Sequence, residues 1–91
     1  VVVTAIDFAA RQLKGTIPSE IGYLTNLVRL KLGDNRLHGT LPSTLSYLTL
    51  LEQLEVNRNN LTGTLPMLSP LTKLKRLLIQ SNQFQGTLSH S

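Results

Sequence analysis

The amino-acid sequence predicts a repeat solenoid of the α/β type, in which four stacked coils share a parallel β-sheet. Three observations predict it. Apolar residues fill the same columns in successive copies, asparagines recur with the same period, and a Gly-Thr pair recurs at intervals of 24, 24 and 23 residues. Self-similarity at a fixed period of roughly 20–50 residues is the signature of repeat architectures. The glycines of the repeated pairs are Gly15, Gly39, Gly63 and Gly86.

Each copy begins with a predicted strand. In the second copy, residues 25–48, the spacing of Leu30 and Leu32 gives the two-residue alternation of a strand with one buried face. Strands of successive copies then pair in parallel, about 4.8 Å apart. A single copy cannot close its own core, so neighbouring copies must stack. The apolar columns of this copy are Leu27, Leu30, Leu32, Leu37, Leu41, Leu45 and Leu48.

The residues between the apolar columns have mechanical roles in the predicted turns. An asparagine after the strand can bond turn backbone groups that no strand partner reaches, and stacked copies would form a ladder. The repeated glycines allow the backbone to bend, and the prolines that follow fix φ and block extension of the sheet. The predicted ladder is Asn35, Asn59 and Asn82, and the prolines are Pro18, Pro42 and Pro66.

The stretch LHGTLP at residues 37–42, followed by Leu45 and Leu48, resembles the plant-type leucine-rich repeat, LxxLxLxxNxLxGxIPxxLxxLxx. Receptor-like kinase and receptor-like protein ectodomains and related eukaryotic surface proteins carry such repeats. The resemblance implies a right-handed curved coil with its parallel sheet on the concave face. On the convex face it implies loops, turns and short 3-10 or helical turns. It also implies protein or peptide recognition outside cells.

The chain is predicted to be one leucine-rich repeat domain, residues 1–91, with repeats at about 1–24, 25–48, 49–71 and 72–91. The cysteine-bearing end caps of the family are missing, so we expect a fragment uncapped at both ends and stacked on neighbouring repeats of a longer chain. Two further departures are Arg11 in the ladder column and a third repeat that is one residue short at Met67. We interpret the shortened repeat as a local tightening of the convex side.

Composition excludes several classes of function. The net charge of +4 is dispersed, without the basic run of a nucleic-acid-binding arm, and cysteine is absent. No segment has the apolar length of a membrane helix, so no membrane contact by this segment is predicted. His38 and His90 are far apart in repeat register, and no catalytic or metal-binding motif appears. We therefore predict no enzyme, no cofactor and no metal.

The strand residues between buried leucines form columns on the predicted concave face, and these columns are the candidate ligand-binding surface. Asp7, Lys31 and Glu55 alternate in sign along one column, which also fits intramolecular pairs worth about 0.2–1 kcal/mol each. Leu78 beside Arg76 has the character of a binding hot spot, or packs against a further repeat. The candidates are Arg29, Lys31, Gln53, Glu55, Asn57, Arg58, Arg76, Leu78 and Gln80.

Two further features are open to a functional or a structural interpretation. Asn60-Leu61-Thr62 is a candidate glycosylation sequon, although the repeat pattern itself favours these residue types. Tyr23 and Tyr47 share a column and are expected to stack on the flank of the solenoid.

The sequence thus favours the ligand-recognition part of an extracellular or membrane-anchored receptor-like protein. Its concave columns vary between repeats, as recognition requires. The alternatives are spacer repeats of a cell-surface or cell-wall protein, or an intracellular scaffold.

Overall fold

A computed structural model describes residues 2–85 of the chain. These residues form two parallel four-stranded sheets. The first sheet contains β1 (Ala5–Asp7), β3 (Arg29–Lys31), β5 (Gln53–Glu55) and β7 (Arg76–Leu78). The second sheet contains β2 (Lys14–Gly15), β4 (Arg36–Thr40), β6 (Asn60–Thr64) and β8 (Gln83–Gln85). The predicted solenoid with a parallel sheet is confirmed.

Each coil contributes one strand to each sheet and then returns over the outer side. In coils one and two, the return contains a 3-10 helix, η1 (Ser19–Tyr23) or η2 (Ser43–Tyr47), which begins directly after a proline. The shortened third coil has turns instead of a 3-10 helix between Leu65 and Pro70. The fourth Gly-Thr pair, at Gly86, lies outside the described residues.

The two sheets differ in register. In the first sheet, Ala5, Arg29, Gln53 and Arg76 are successive partners, so paired residues are 24, 24 and 23 positions apart, as in the sequence repeat. In the second sheet, Lys14 pairs with Arg36, 22 positions away. The later pairs in this sheet are 22 and 21 positions apart. The second sheet is therefore staggered by two residues relative to the repeat.

The core is a stack of leucines that is complete only in the two central coils. The end coils have a packing neighbour on one side only among the described residues, and Ile6, Leu13 and Leu77 are half-buried there. An apolar cleft of about 180 Å³ opens beside Phe8 on the first coil. The largest fully buried side chains all belong to coils two and three: Leu27, Leu30, Leu45, Leu48, Leu51, Leu54, Val56 and Leu61.

The column of asparagines joins each coil to the one before it. The Asn59 amide donates to the carbonyls of Val56 in its own coil and of Leu32 in the preceding coil, both at 3.0 Å. Its Oδ1 accepts the backbone N–H of Leu37 at 3.0 Å. Asn35 and Asn82 repeat this pattern one coil earlier and one coil later. The amide side chains thus satisfy turn backbone groups that the sheet ladders leave free.

Two glycines occupy backbone conformations that the repeat requires. Gly39 and Gly63 have φ values of +82° and +79°, in the left-handed region that L-residues rarely adopt. A β-carbon at Gly63 would also meet the Thr40 methyl at 2.7 Å. The fourth position of β4 and of β6 therefore depends on glycine for conformation, and in β6 also for space.

Candidate protein-binding surface

The outward side chains of the first sheet form two rows across the strands. One row is Ala5, Arg29, Gln53 and Arg76, and the other is Asp7, Lys31, Glu55 and Leu78. Between the rows, the residue at the centre of each strand faces the core, and Leu30 and Leu54 are completely buried there. The alternation expected of a half-buried strand therefore holds in coils one to three, whereas Leu77 and Leu78 of β7 are both half-buried.

The nine candidate residues differ in exposure. Arg29, Arg58, Arg76 and Gln80 are exposed, whereas Lys31, Gln53, Glu55, Asn57 and Leu78 are half-buried. Because all nine lie in the first sheet or in the turn that directly follows it, the fold brings them onto one side of the solenoid. The nine residues belong to coils two, three and four, and coil one adds only Ala5 and Asp7 at the edge of this surface.

Three ion pairs are present within residues 2–85. Arg76 Nε lies 3.1 Å from Glu55 Oε2, Arg58 Nη1 lies 3.4 Å from Asp34 Oδ1, and Lys75 Nζ lies 3.6 Å from Glu52 Oε1. Each pair links neighbouring coils. All have at least one well-exposed member, so each is expected to contribute at most about 1 kcal/mol to stability.

The alternating column Asp7, Lys31 and Glu55 does not pair along its own row. Glu55, whose side chain is only 16% exposed, instead pairs diagonally with Arg76 of the adjacent strand. Diagonal neighbours on a sheet are within reach of long side chains such as arginine. Lys31 consequently has no carboxylate partner among the described residues.

Polar groups with unused hydrogen-bonding capacity meet on β3 and β5. Arg29 joins none of the three ion pairs of the described chain, and it lies directly beside Gln53 in the register. Gln53 Oε1 is buried and has no hydrogen-bond partner there. An unsatisfied buried acceptor is uncommon and costs about 1–3 kcal/mol. Arg29, Lys31 and Gln53 therefore form a patch of unpartnered groups, which we call the open patch.

Leu78 lies in the outward row, in register with Glu55, and is half-buried like Lys31 and Glu55 of the same row. Its neighbours Leu77 and Ile79 pack against the core cluster. The interpretation of Leu78 as a binding anchor stays a prediction, as does the alternative that it packs against a further repeat.

Two features of this side of the solenoid were not predicted. The column Ala10, Asp34, Arg58 and Ser81 is left-handed in every coil, with φ between 55° and 61°. Asn57 lies against Gly33, where a β-carbon would meet its Oδ1 at 2.6 Å. Gly33 and Asn57 occupy the same position in successive coils, and the small residue beside the larger one was the available signal for this contact. A larger residue at position 33 would displace the Asn57 amide.

The remaining candidates lie elsewhere. Tyr23 and Tyr47 end the two 3-10 helices and are 72% and 56% exposed, and their stacking on the flank stays a prediction. Each tyrosine precedes a leucine that turns inward, and this leaves the ring outside. Asn60 is exposed at the start of β6, and the Thr62 hydroxyl of the sequon donates to the Gly39 carbonyl at 3.4 Å. His38 is exposed on β4, and His90 lies outside the described residues.

Across residues 2–85, no group of three His, Cys, Asp or Glu side chains could hold a metal ion. No helix in the same part of the chain is long and apolar enough to cross a membrane.

Comparison with known proteins is consistent with this geometry. A family model described as Leucine Rich Repeat matches residues 26–48. No curated protein matches the chain. Among solved structures, a chain of the PEPR1–AtPEP1 complex is 40% identical with a TM-score of 0.90, over 92% of this chain and 12% of its own.

Two structures from Arabidopsis are also similar. A chain of the BIR3–SERK2 complex from Arabidopsis thaliana is 34% identical, with a TM-score of 0.87, over 91% of this chain and 45% of its own. The ectodomain of the receptor kinase HAESA, solved with an IDA peptide hormone, is 30% identical, with a TM-score of 0.86, over 90% and 14%. The chain thus spans less than half the length of each of these proteins.

The matched repeat and the shared fold define the class. This chain has the fold of a leucine-rich repeat solenoid, an architecture of protein-interaction modules, and its residues 26–48 match the repeat model. Its structural neighbours include receptor-kinase ectodomains, and it has the form of an extracellular or cell-surface receptor segment.

Proposed function

We propose that this chain is part of the ligand-recognition surface of a receptor-like protein and binds a peptide or protein on its first sheet. The observation that carries the proposal is the open patch. Arg29 and Lys31 have no ion-pair partner among the described residues, and the buried Gln53 Oε1 has no donor. Several similar structures were solved with peptide hormones or co-receptors, which supports the same use of the fold here.

The open patch suits an extended polar ligand. Three residues on adjacent strands are held by a sheet whose central residues are completely buried, so their backbone positions are fixed before a ligand arrives. Preorganised groups lose less conformational entropy on binding. A ligand group that accepts hydrogen bonds from Arg29 and Lys31 would supply the partners that these two side chains lack within the described residues. The neighbouring pair Arg76–Glu55 closes this patch on the side of coil four.

This proposal assigns no catalytic step to the chain. The separation of the two carboxylates on the first sheet supports that view, because the strand carrying Lys31 lies between Asp7 and Glu55. Glu55 is also held by Arg76. A pair of carboxylates separated by a lysine strand is unsuited to general acid–base chemistry. Any enzymatic output would belong to other parts of the whole protein.

The proposal predicts that changes in the open patch weaken ligand binding. Short random peptides displayed on phage would be selected against the full-length protein, and the enriched peptides measured by calorimetry. We expect Arg29→Ala with Lys31→Ala to reduce their affinity about tenfold or more, because each lost charge-assisted hydrogen bond is worth about 1.5–3 kcal/mol. Lys73→Ala, at an exposed cation in the turn before β7, is the control. It is expected to change affinity less than about twofold, because salt screens a distant surface charge.

Two results would contradict recognition by the first sheet. Selection that enriches no peptide would favour the spacer interpretation, in which the charged columns only keep the sheet soluble. Enriched peptides whose affinity is equally reduced by Lys73→Ala would indicate general electrostatic attraction.

We also propose that Asn60 carries an N-linked glycan in the secreted protein. Its side chain is exposed on the second sheet, and Leu61 between the two sequon residues faces the core. Digestion of native protein with a peptide N-glycosidase is expected to lower its mass and convert Asn60 to aspartate, visible by peptide mass spectrometry. Thr62→Val should abolish the shift while retaining the shape of the side chain. An unchanged mass in wild-type protein would refute the assignment.

A further inference from the structure

The second sheet has a charge distribution unlike that of the first. Its four described strands read KG, RLHGT, NLTGT and QFQ, and they contain no aspartate or glutamate. The acidic residues lie on or beside the first sheet or in η1: Asp7, Glu20, Asp34, Glu52 and Glu55. The chain therefore presents mixed charge on one sheet and only positive charge on the other.

The positive charge of the second sheet is concentrated at one end. Lys14 on β2 and Arg36 on β4 are direct partners in the register, and both are exposed. Paired strands are about 4.8 Å apart, so two cations face solvent side by side. Like charges opposite each other destabilise a sheet. Neither residue belongs to an ion pair in the described part of the chain.

His38 extends this cluster along β4. It lies two residues after Arg36 and is exposed, while Leu37 between them faces the core. Residues two apart on a strand project from the same face, so the imidazole adds hydrogen-bonding groups beside the two cations. We call Lys14, Arg36 and His38 the basic face. Asn60, the proposed glycan acceptor, pairs with His38 and lies across β4 from Lys14.

The composition around the basic face indicates which kind of anion fits it. Protein–protein interfaces gain most of their affinity from buried aromatic and apolar anchors. The exposed positions of the second-sheet strands are instead polar, with Thr40, Thr64, Gln83 and Gln85 beyond the basic face. These exposed side chains offer charge and hydrogen bonds rather than apolar contact. A ligand recognised through repeated anionic and hydroxyl groups matches it better than an acidic protein does.

We propose that the basic face binds an acidic polysaccharide, whose carboxylate or sulfate groups bridge Lys14 and Arg36. The anion removes the repulsion between the two cations and accepts charge-assisted hydrogen bonds from both. His38 and the adjacent amides and hydroxyls bond to the sugar hydroxyls. This site lies on a different sheet from the open patch, so the two surfaces can be occupied independently.

The test measures binding of the full-length protein to alginate and to dextran sulfate, which carry carboxylates and sulfates respectively. We expect both to bind, and Lys14→Gln with Arg36→Gln to reduce affinity at least about tenfold, as loss of charge-assisted hydrogen bonds requires. Lys73→Gln with Lys75→Gln removes the same charge from exposed residues of coil four and should change affinity less than about twofold. The exchange Lys14→Arg with Arg36→Lys keeps the charge and should retain binding.

Four results would overturn the proposal. Binding of neutral dextran with equal affinity would remove the role of charge. Equal losses from the two double substitutions would show that only net charge matters. Loss of binding in the charge-retaining exchange would show that the substitutions act through folding. Tighter binding of poly-L-glutamate than of alginate, with the same dependence on Lys14 and Arg36, would identify an acidic protein as the partner.

Discussion

Replacing Asn59 with alanine is expected to lower the free energy of unfolding by roughly 2–4 kcal/mol. Asn59 is 7% exposed and holds carbonyls in two adjacent coils while accepting the N–H of Leu37. Alanine leaves the Leu37 N–H buried without this bond, and the Leu32 carbonyl keeps the Asn35 amide but loses its second donor. An orphaned buried group costs more than the bond itself contributed. Domains of this size are stable by only about 5–15 kcal/mol, so the change is a large fraction of the total.

The measurement is the denaturation midpoint in urea, with the slope of the transition checked for two-state behaviour. Asn60→Ala is the matched control, because it changes the same residue type one position later at an exposed side chain. It is expected to stay within about 0.5 kcal/mol. Asn59→Asp keeps an acceptor for Leu37 but loses the amide donor, and it should also destabilise. Equal stability of the Asn59→Ala and Asn60→Ala proteins would show that this hydrogen-bonded turn does not stabilise the fold.

Replacing Gly22 with alanine is expected to destabilise the protein by roughly 1–3 kcal/mol, the usual cost of overpacking. Gly22 is buried in η1, where it faces η2 of the next coil. An alanine β-carbon would lie 2.5 Å from both the β-carbon and the carbonyl oxygen of Thr44. Backbone cannot yield as a side-chain tip does, so η1 and η2 would have to separate.

The same denaturation experiment tests this prediction, and Thr49→Ala at an exposed position after η2 serves as the control. Combining Gly22→Ala with Thr44→Gly should recover only part of the loss. The Thr44 side chain is then gone, but its carbonyl oxygen still meets the new methyl group. Full stability in the Gly22→Ala protein would mean that the outer helices are free to move apart without cost.

The first sheet could be predicted because its signal is carried by buried side chains. The alternation at Leu30 and Leu32 recurs in each coil, and the register observed between the strands is that of the sequence repeat. The second sheet could not be predicted in the same way. Its longest strands contain Gly39 and Gly63 at positive φ, which are typical of turns in a sequence. Its stagger also has no counterpart in the repeat spacing.

The position of each candidate on the binding surface followed from the register, but its partner did not. Glu55 pairs with Arg76 rather than with Lys31, and this pairing depends on the reach of the arginine side chain across the diagonal between adjacent strands. The half-burial of Leu78, Lys31 and Glu55 in the outward row likewise did not follow from the repeat pattern. A repeat pattern determines which residues share a face. It does not determine which of these side chains contact one another.

The asparagine column also gives the solenoid a direction of assembly. The turn of coil one is held by Asn35 of coil two, that of coil two by Asn59, and that of coil three by Asn82. A growing chain leaves the ribosome from its N-terminal end. Each new coil therefore emerges before the asparagine that hydrogen-bonds its turn, and the next coil supplies that amide. During synthesis, the turn of the last folded coil therefore lacks its asparagine hydrogen bonds until the next coil has been made.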